Sequence, residues 1–308
     1  LKEIKQKEKS FSLVYQILRG MKLAVYSGKE SNHFALGLEE YCHFTSPIRR
    51  YSDLVTHRVI KSIIEKNAKQ LNWDISKYEL IHVPVENDTA KTASKLASEG
   101  KVQIIVKGHI HTDVLMKEVL KREYNLLGKT RLSHIWHMTL GKVDKPLIIT
   151  DGALNVLPNV KTKFHILKNV INFSNRIGIK RPKVAILSAT EEVLDSVPSS
   201  KEAEELTNLA KKENLNADVF GPLAFDNSIS KKSAAIKGIQ NSVAGMADVL
   251  LVPSVETGNG LVKMLIYFCG ACAAGVVVGG KVPVVITSRS DEAPARLASI
   301  AAAVVALD

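Results

Sequence analysis

A chain of 308 residues, 45% of them hydrophobic, is long enough for one large domain or two ordinary ones and has a globular composition. Its three cysteines are too few for a disulfide framework, and the uncharged run of residues 264–280 is shorter than the roughly 20 residues that a membrane-spanning helix needs. Of the net charge of +11, more than half lies in residues 1–70, which hold 13 Lys and Arg against 7 Asp and Glu. Composition therefore excludes a disulfide-rich scaffold and a membrane-spanning protein. It predicts a cytoplasmic location, with basicity concentrated near the N-terminus.

Helix and loop patterns describe the first part of the chain. Residues 1–60 predict a helix, a loop that contains glycine and a second helix, and a polar stretch near residues 61–74 joins them to the rest. The sequence YELIHVPV, a helix over residues 89–99 and the strand VQIIVKG then predict a β-α-β unit, followed by a helix from about residue 112 to 123. The chain therefore passes from a helical segment into an α/β region.

From residue 145 onward, buried strands and amphipathic helices alternate. The predicted strands are KPLIITD, KVAILSA, ADVF, ADVLLVPS and KVPVVITS. The predicted helices cover residues 162–177, 201–214, 229–243, 260–274 and 293–307. Strands without polar alternation are buried on both faces, so the pattern predicts an α/β fold whose sheet is parallel or mostly parallel. Cys269 and Cys272 fall in one predicted helix, with no second CxxC and no neighbouring His, and we interpret them as packing residues rather than metal ligands.

The stretch HFALGLEEYCHFTSPIRRYSDLVTHRVI resembles the end of the catalytic domain of the ribonuclease R and ribonuclease II family, over about residues 10–62. The resemblance implies that Arg49 or Arg50 contacts a phosphate, a task that suits a guanidinium because it stays charged and binds two oxygens at once. In that family the acidic residues that hold magnesium precede this segment. Asp53 is the only aspartate in the first 70 residues, and we interpret it as solvated or paired. Residues 1–62 are therefore predicted to be a nuclease remnant with weak RNA binding.

A second set of motifs covers about residues 65–308: KGHIHTDVLMKEVL, RLSHIWHMTL, LIITDGALNVLPN, GPLAFDNSIS, ADVLLVPSVETGNGLVKMLIYF and VVITSRSDEAPARLASIA. Together, and in this order, they resemble the phosphate acetyl/butyryltransferase family. The resemblance implies reversible acyl transfer between CoA and inorganic phosphate, with acyl-CoA, phosphate and acyl phosphate as ligands, no metal or other cofactor, and a homodimer. It also implies an isocitrate/isopropylmalate dehydrogenase-like fold, with two α/β subdomains around a cleft. Here that fold would be truncated at its N-terminus, where nuclease-like sequence stands in place of an expected strand and helix.

The sequence ITSRSDE offers the groups that acyl transfer requires. Transfer between sulfur and a phosphate oxygen needs an anion cradle, an acceptor for the thiol proton and donors for the tetrahedral oxyanion. At the end of a predicted strand, Ser288 can donate to an oxyanion or sulfur, Arg289 can bind phosphate, and Asp291 or Glu292 can accept the proton. By resemblance, Ser288 and Arg289 match the family's Ser-Arg pair, and Asp291 is taken as the base with Glu292 as the alternative. A helix-start turn with capping Ser and Asp is the simpler reading of the same residues.

The sequence VKGHIHTD follows a predicted strand and opens a helix. Lys107, the backbone amides after Gly108 and the Thr112 hydroxyl can therefore bind an anion. By resemblance, His111 belongs to the family's His-Thr pair, and Lys117 stands where acetyl members carry an arginine. The remaining residues predicted to bind substrate are Asp226, Asn227, Asn259 and Lys263.

Three functions are compatible with these patterns. The first is a phosphate acyltransferase, with acetyl as the acyl group. The second is a degraded fusion product without activity that at most binds RNA weakly. The third is an oxidoreductase on the related dehydrogenase fold, which the sequence disfavours because it has neither a dinucleotide fingerprint nor an obvious acidic metal cluster.

Overall fold

The computed structural model describes residues 79, 81, 83, 85–141, 143–287 and 291–307, except for the side chains of three of them. Those three are Val143, Asp144 and Ala293. The predicted helical appendage, the nuclease-like segment with Arg49, Arg50 and Asp53, and the boundary between residues 62 and 65 lie outside the described residues.

Helices and strands alternate along most of the described chain. The helices are α1 (Glu86–Ser98), α2 (Thr112–Val119), α3 (Val160–Arg176), α4 (Pro198–Lys212), α5 (Phe225–Ile229), α6 (Lys231–Ile236), α7 (Val255–Cys269) and α8 (Ala293–Val305), with a 3₁₀ turn at Arg122–Tyr124. The strands are β1 (Ile105–Lys107), β2 (Ser133–Leu140), β3 (Val143–Thr150), β4 (Lys183–Leu187), β5 (Asp218–Leu223), β6 (Val249–Leu251), β7 (Cys272–Val278) and β8 (Val284–Ile286).

These strands form one mixed sheet in the order β1-β8-β7-β2-β3-β6-β4-β5. Strands β3, β6, β4 and β5 are parallel to one another, and β1 is parallel to β8. The central pairs β2–β3, β2–β7 and β7–β8 are antiparallel. The α/β class is confirmed. The prediction of a mostly parallel sheet holds for only part of the sheet, because β2 and β3 form an antiparallel hairpin about the short turn at Gly141.

The helix predicted over residues 260–274 is wrong in its last third. Helix α7 ends at Cys269, where Gly270 takes the left-handed conformation (φ 64°) and the Ala271 amide donates to the Leu265 carbonyl. The chain then enters β7 with Cys272. A run of small apolar residues does not distinguish a buried helix from a buried strand, and the glycine is the stop signal. Cys269 is exposed and Cys272 half-buried, so the packing role predicted for Cys269 is also wrong.

Two further elements differ from the prediction. The helix expected over residues 229–243 is divided into the short helices α5 and α6, followed by turns as far as Asp248. Residues 79, 81, 83 and 85, within the predicted strand YELIHVPV, have no strand structure. Among the described residues, no helix is both long and apolar enough to cross a bilayer.

Two apolar cores cover opposite faces of the sheet, because successive side chains of a strand point to opposite sides. On one face, Ile135 of β2 belongs to the core formed with helices α3, α4 and α8. On the other face, Trp136 and Met138 of the same strand belong to the core that includes Val262 and Leu265 of α7. The even-numbered residues of β2 therefore face α7, and this relation positions part of the candidate site.

Candidate functional site

The strand directions divide the predicted site residues between two edges of the sheet. The carboxyl ends of β3, β6, β4 and β5 lie at one edge, which we call the Asp151 edge after the residue that follows β3. Strands β1 and β8 run the opposite way, because three antiparallel pairs separate β8 from β3. Lys107 and Thr287 therefore lie at the other edge, which we call the Thr287 edge.

At the Thr287 edge, Lys107 shapes the loop that leads into α2. Its side chain is buried, and its ammonium group donates hydrogen bonds to the carbonyl oxygens of Gly108 (3.3 Å) and Ile110 (3.1 Å). The Thr287 hydroxyl donates to the carbonyl oxygen of Lys107 (3.0 Å). This bond joins the loop to the residue immediately before Ser288. Ser288 and Arg289 themselves lie outside the described residues.

The start of α2 presents two predicted residues at the surface. His111 occupies the N-cap position, and its backbone amide donates to Glu86 Oε1 of α1 (2.6 Å). Thr112 begins the helix and is exposed. Lys117 is also exposed and lies 3.9 Å from Asp113, a surface ion pair that contributes little to stability.

The acidic pair after Arg289 lies at the start of α8. Asp291 is half-buried, whereas Glu292 is exposed and occupies the N-cap position without a side-chain capping bond. Asp291 is therefore not the N-cap residue that the simpler helix-start reading requires. The choice of Asp291 or Glu292 as the base stays a prediction.

At the Asp151 edge, Asn227 belongs to a polar cluster that sequence reasoning missed. Asp226 is exposed, but Asn227 is fully buried, and its Nδ2 donates to Glu191 Oε2 (3.3 Å). Lys237 donates to the same oxygen (2.9 Å), and this hydrogen bond lowers the pKa of Glu191 and raises that of Lys237. Asn227 Oδ1 is buried without a hydrogen-bond partner among the described residues. In the sequence, this cluster is indicated only by the position of Glu191, which follows a predicted strand.

The first turns of α7 pack against the turn that follows β3. A Cβ atom on Gly258 would lie 2.6 Å from the Cα of Gly152, and one on Gly152 would lie 3.4 Å from the amide nitrogen of Asn259. At position 258 only glycine permits this approach, and at position 152 a larger residue would be tightly packed. Asn259 is exposed, and Lys263, one turn later, is half-buried. The predicted residues of α7 are thus anchored at the Asp151 edge.

Asp151 is the centre of a second network that sequence reasoning missed. Its buried carboxylate accepts hydrogen bonds from the amides of Ala153 (3.0 Å) and Leu154 (2.9 Å) and from the side chain of Asn155 (2.6 Å). Asn155 Oδ1 in turn accepts a hydrogen bond from Nε of the exposed Arg131 (3.0 Å). The motif LIITDGALN indicates this network in the sequence, because it places an aspartate directly after a predicted buried strand. This network fixes the turn on which α7 rests.

Two aromatic side chains of β2 lie beneath the same turn. The rings of His134 and Trp136 are 4.5 Å apart between centroids, and both side chains are buried. Burial lowers the pKa of His134 to about 4, and the charge of Asp151 acts in the opposite direction. The imidazole is therefore neutral at pH 7. Among the described residues, no group of three or more His, Cys, Asp or Glu side chains is placed to hold a metal ion.

This mixed α/β fold is similar to that of a phosphotransacylase of known structure. The crystal structure of a branched-chain phosphotransacylase from Enterococcus faecalis V583 matches with a TM-score of 0.68 and 38% identity, over 73% of this chain and 81% of that chain. The family model described as "Phosphate acetyl/butaryl transferase" matches residues 45–304. The chain belongs to this family of acyltransferases, as the sequence predicted.

Relatives carry the names of both branches of the family. The phosphate acetyltransferase of Rhizobium meliloti is 41% identical over 78% of this chain and 76% of that protein. A probable phosphate butyryltransferase of Bacillus subtilis is 34% identical over 84% of this chain and 89% of that protein. The RNB domain model matches residues 1–66, which confirms the second resemblance, and residues 45–66 fall in both matches.

Proposed function

We propose that this chain is a phosphate acetyltransferase, which transfers an acetyl group reversibly between the thiol of CoA and inorganic phosphate. The observation that carries the proposal is the family match across residues 45–304, together with 41% identity to a phosphate acetyltransferase over most of both chains. We prefer acetyl to butyryl as the acyl group because the acetyltransferase of Rhizobium meliloti is 41% identical to this chain, whereas the probable butyryltransferase of Bacillus subtilis is 34% identical. One methylene in an apolar pocket changes binding by only about 1–3 kcal/mol, so we expect other short acyl groups to react more slowly rather than not at all.

The proposed chemistry takes place at the Thr287 edge. Arg289 binds the phosphate, Ser288 donates to the oxyanion of the tetrahedral intermediate, and Asp291 accepts the proton of the CoA thiol. The hydrogen bond from Thr287 to the Lys107 carbonyl supports this arrangement, because it holds the loop before α2 beside the start of the Ser-Arg pair. In this proposal Lys107 acts by shaping the loop, while Thr112 and His111 meet the substrate.

Phosphate-dependent thiol release tests the proposed reaction. The protein is incubated with acetyl-CoA, with and without inorganic phosphate, and free thiol is followed with a chromogenic disulfide. Arg289→Ala should raise the phosphate concentration needed for half-maximal rate, because a charge-assisted hydrogen bond contributes about 1.5–3 kcal/mol. The matched control is Arg181→Ala, which removes an exposed guanidinium paired with Asp218 (2.7 Å). If this protein releases no thiol while an active relative assayed in parallel does, the proposal is refuted. Thiol release that does not require phosphate would indicate a thioesterase instead.

The wider architecture is also a proposal. We infer an isocitrate/isopropylmalate dehydrogenase-like arrangement of two α/β subdomains, a cytoplasmic homodimer and a reaction that needs no cofactor. Exposed apolar side chains on α7 support self-association: Met264, Tyr267 (68% exposed) and Phe268 (87% exposed) occupy positions i, i+3 and i+4 of the helix. Light scattering after gel filtration should give a mass twice that of one chain, and the substitution Phe268→Lys should lower the measured mass toward that of the monomer.

A second activity is proposed for residues 1–62. The RNB match at residues 1–66 supports weak, salt-sensitive RNA binding through Arg49 and Arg50. We expect retention of single-stranded RNA at low salt and loss of that retention in Arg49→Ala/Arg50→Ala. Retention that is unchanged in the double variant would contradict the proposal.

A further inference from the structure

His134 and Trp136 combine deep burial with unused hydrogen-bonding capacity. His134 is fully buried, and neither of its ring nitrogens has a hydrogen-bond partner among the described residues. The same is true of Nε1 of Trp136. Leaving a buried donor or acceptor unsatisfied is destabilising, so two neighbouring side chains of this kind need an explanation.

Two glycines make room for these two rings, and a third glycine packs against one of the two. Gly275 of β7 lies directly opposite Trp136, and a Cβ there would lie 2.7 Å from Trp136 Cζ3 and 2.9 Å from His134 Cε1. On its other side, Trp136 Cδ1 lies 3.3 Å from the position that a Cβ of Gly152 would take. Gly152 in turn contacts Gly258 of α7. A continuous path of close contacts therefore runs from His134 through Trp136 to the first turns of α7.

We propose that His134 and Trp136 are positioning residues, which hold an ordered water beneath the Gly152–Gly258 contact and thereby fix the orientation of Asn259. The proposal rests on the proposed function in one respect, the role of Asn259 in binding substrate. Buried ring nitrogens in native proteins are commonly satisfied by such a water, which needs two to four polar partners. The neutral imidazole supplies one donor and one acceptor, and the indole supplies a second donor.

The test separates positioning from simple packing by comparing two substitutions of one residue. His134→Leu removes both nitrogens at similar volume, whereas His134→Gln keeps a donor and an acceptor. If His134 only packs, the leucine variant is at least as stable as wild type and equally active, because it no longer buries unsatisfied polar atoms. If His134 positions Asn259, the leucine variant is stable, but its KM for acetyl-CoA or phosphate rises about tenfold or more with a smaller change in kcat, and glutamine restores much of the loss.

Two further variants complete the kinetic experiment. Trp136→Phe keeps an aromatic ring over Gly275 but removes the indole N–H, and we expect it to raise the same KM. The matched control is His137→Leu, since His137 lies on the same strand but on the opposite face of the sheet from α7. His137→Leu should leave the KM values within about twofold of wild type.

Hydrogen exchange supplies a readout that does not depend on activity. Amides of residues 258–262 should exchange at least about tenfold faster in His134→Leu and Trp136→Phe than in wild type, while amides of β4 exchange at an unchanged rate. A wild-type chain without acyltransfer activity would refute the proposed function, and the exchange rates alone would then decide whether these residues hold the turn. Unchanged exchange at residues 258–262 overturns the inference, as does faster exchange in an active enzyme whose KM values do not change.

Discussion

Protonation of His134 should destabilise the fold in acid. Burial holds the pKa of this imidazole at about 4, below its ordinary value of 6.5. Between these two values the unfolded chain binds a proton at this position that the folded chain does not. The contribution of neutral His134 to stability is therefore fully present above pH 6.5 and is lost as the pH falls toward 4. Because one unit of pKa corresponds to about 1.4 kcal/mol, the loss amounts to roughly 3 kcal/mol.

Urea unfolding of wild type and His134→Leu at pH 7, 6, 5 and 4 measures this loss. Carboxylates that respond to acid are common to both proteins, so the difference between their free energies of unfolding isolates the histidine. We expect that difference to move by roughly 3 kcal/mol in favour of the variant between pH 7 and pH 4. His137→Leu should show a smaller change, because the ring of His137 is only partly buried although burial also lowers its pKa. Curves for wild type and His134→Leu that stay parallel within about 0.5 kcal/mol would refute the reasoning.

Four substitutions test the packing of the same fold by urea or thermal unfolding. Gly275→Ala places a methyl group 2.7 Å from the Trp136 ring and should destabilise the protein by about 1–3 kcal/mol; unchanged stability would contradict the close packing. Glu202→Gln removes the negative charge that faces the buried ammonium of Lys163 and should cost about 1–3 kcal/mol, whereas Lys163→Met should cost clearly less, and equal costs would argue against a buried, charge-paired ammonium. Gly270→Ala forces alanine into the left-handed region at φ 64° and should cost about 1 kcal/mol; a stabilised variant would show that this cap is not needed.

The strands that could be predicted are those buried on both faces with β-branched side chains. KVAILSA and ADVLLVPS became β4 and β6 because such runs have few alternatives in a chain of this composition. The run CGACAAGVVV was assigned to a helix, since small residues fit either structure and its partner strand, β2, is more than 130 residues earlier. No strand is predicted for SHIWHMTL because two histidines interrupt it, and His134 is buried against β7, a strand distant in sequence.

In the candidate site, too, residues that are close in sequence could be predicted to act together, whereas contacts between residues far apart in sequence could not be predicted. Ser288, Arg289 and Asp291 are predicted because they lie close together in one motif that resembles a family pattern, and their roles stay predictions. Glu191 and Lys237 are 46 residues apart, and their hydrogen bond exists only because β4 and β5 are neighbours in the sheet. No periodicity encodes such a pair. Sequence reasoning placed the predicted residues around a single cleft, and that arrangement stays a prediction.

The reversal of β8 relative to β3 predicts which residues act on the same part of the substrate. Thr112 and Arg289 belong to segments joined at the Thr287 edge, whereas Asn259 is anchored at the Asp151 edge. Groups that contact one ligand atom are energetically coupled, and groups more than about 7–10 Å apart are usually additive. In double-mutant cycles on kcat/KM, Arg289→Ala should therefore couple with Thr112→Val by about 0.5–3 kcal/mol and combine additively with Asn259→Ala. Strong coupling to Asn259 would show that the two edges meet at one substrate group, and the division of the site drawn from the strand directions would be wrong.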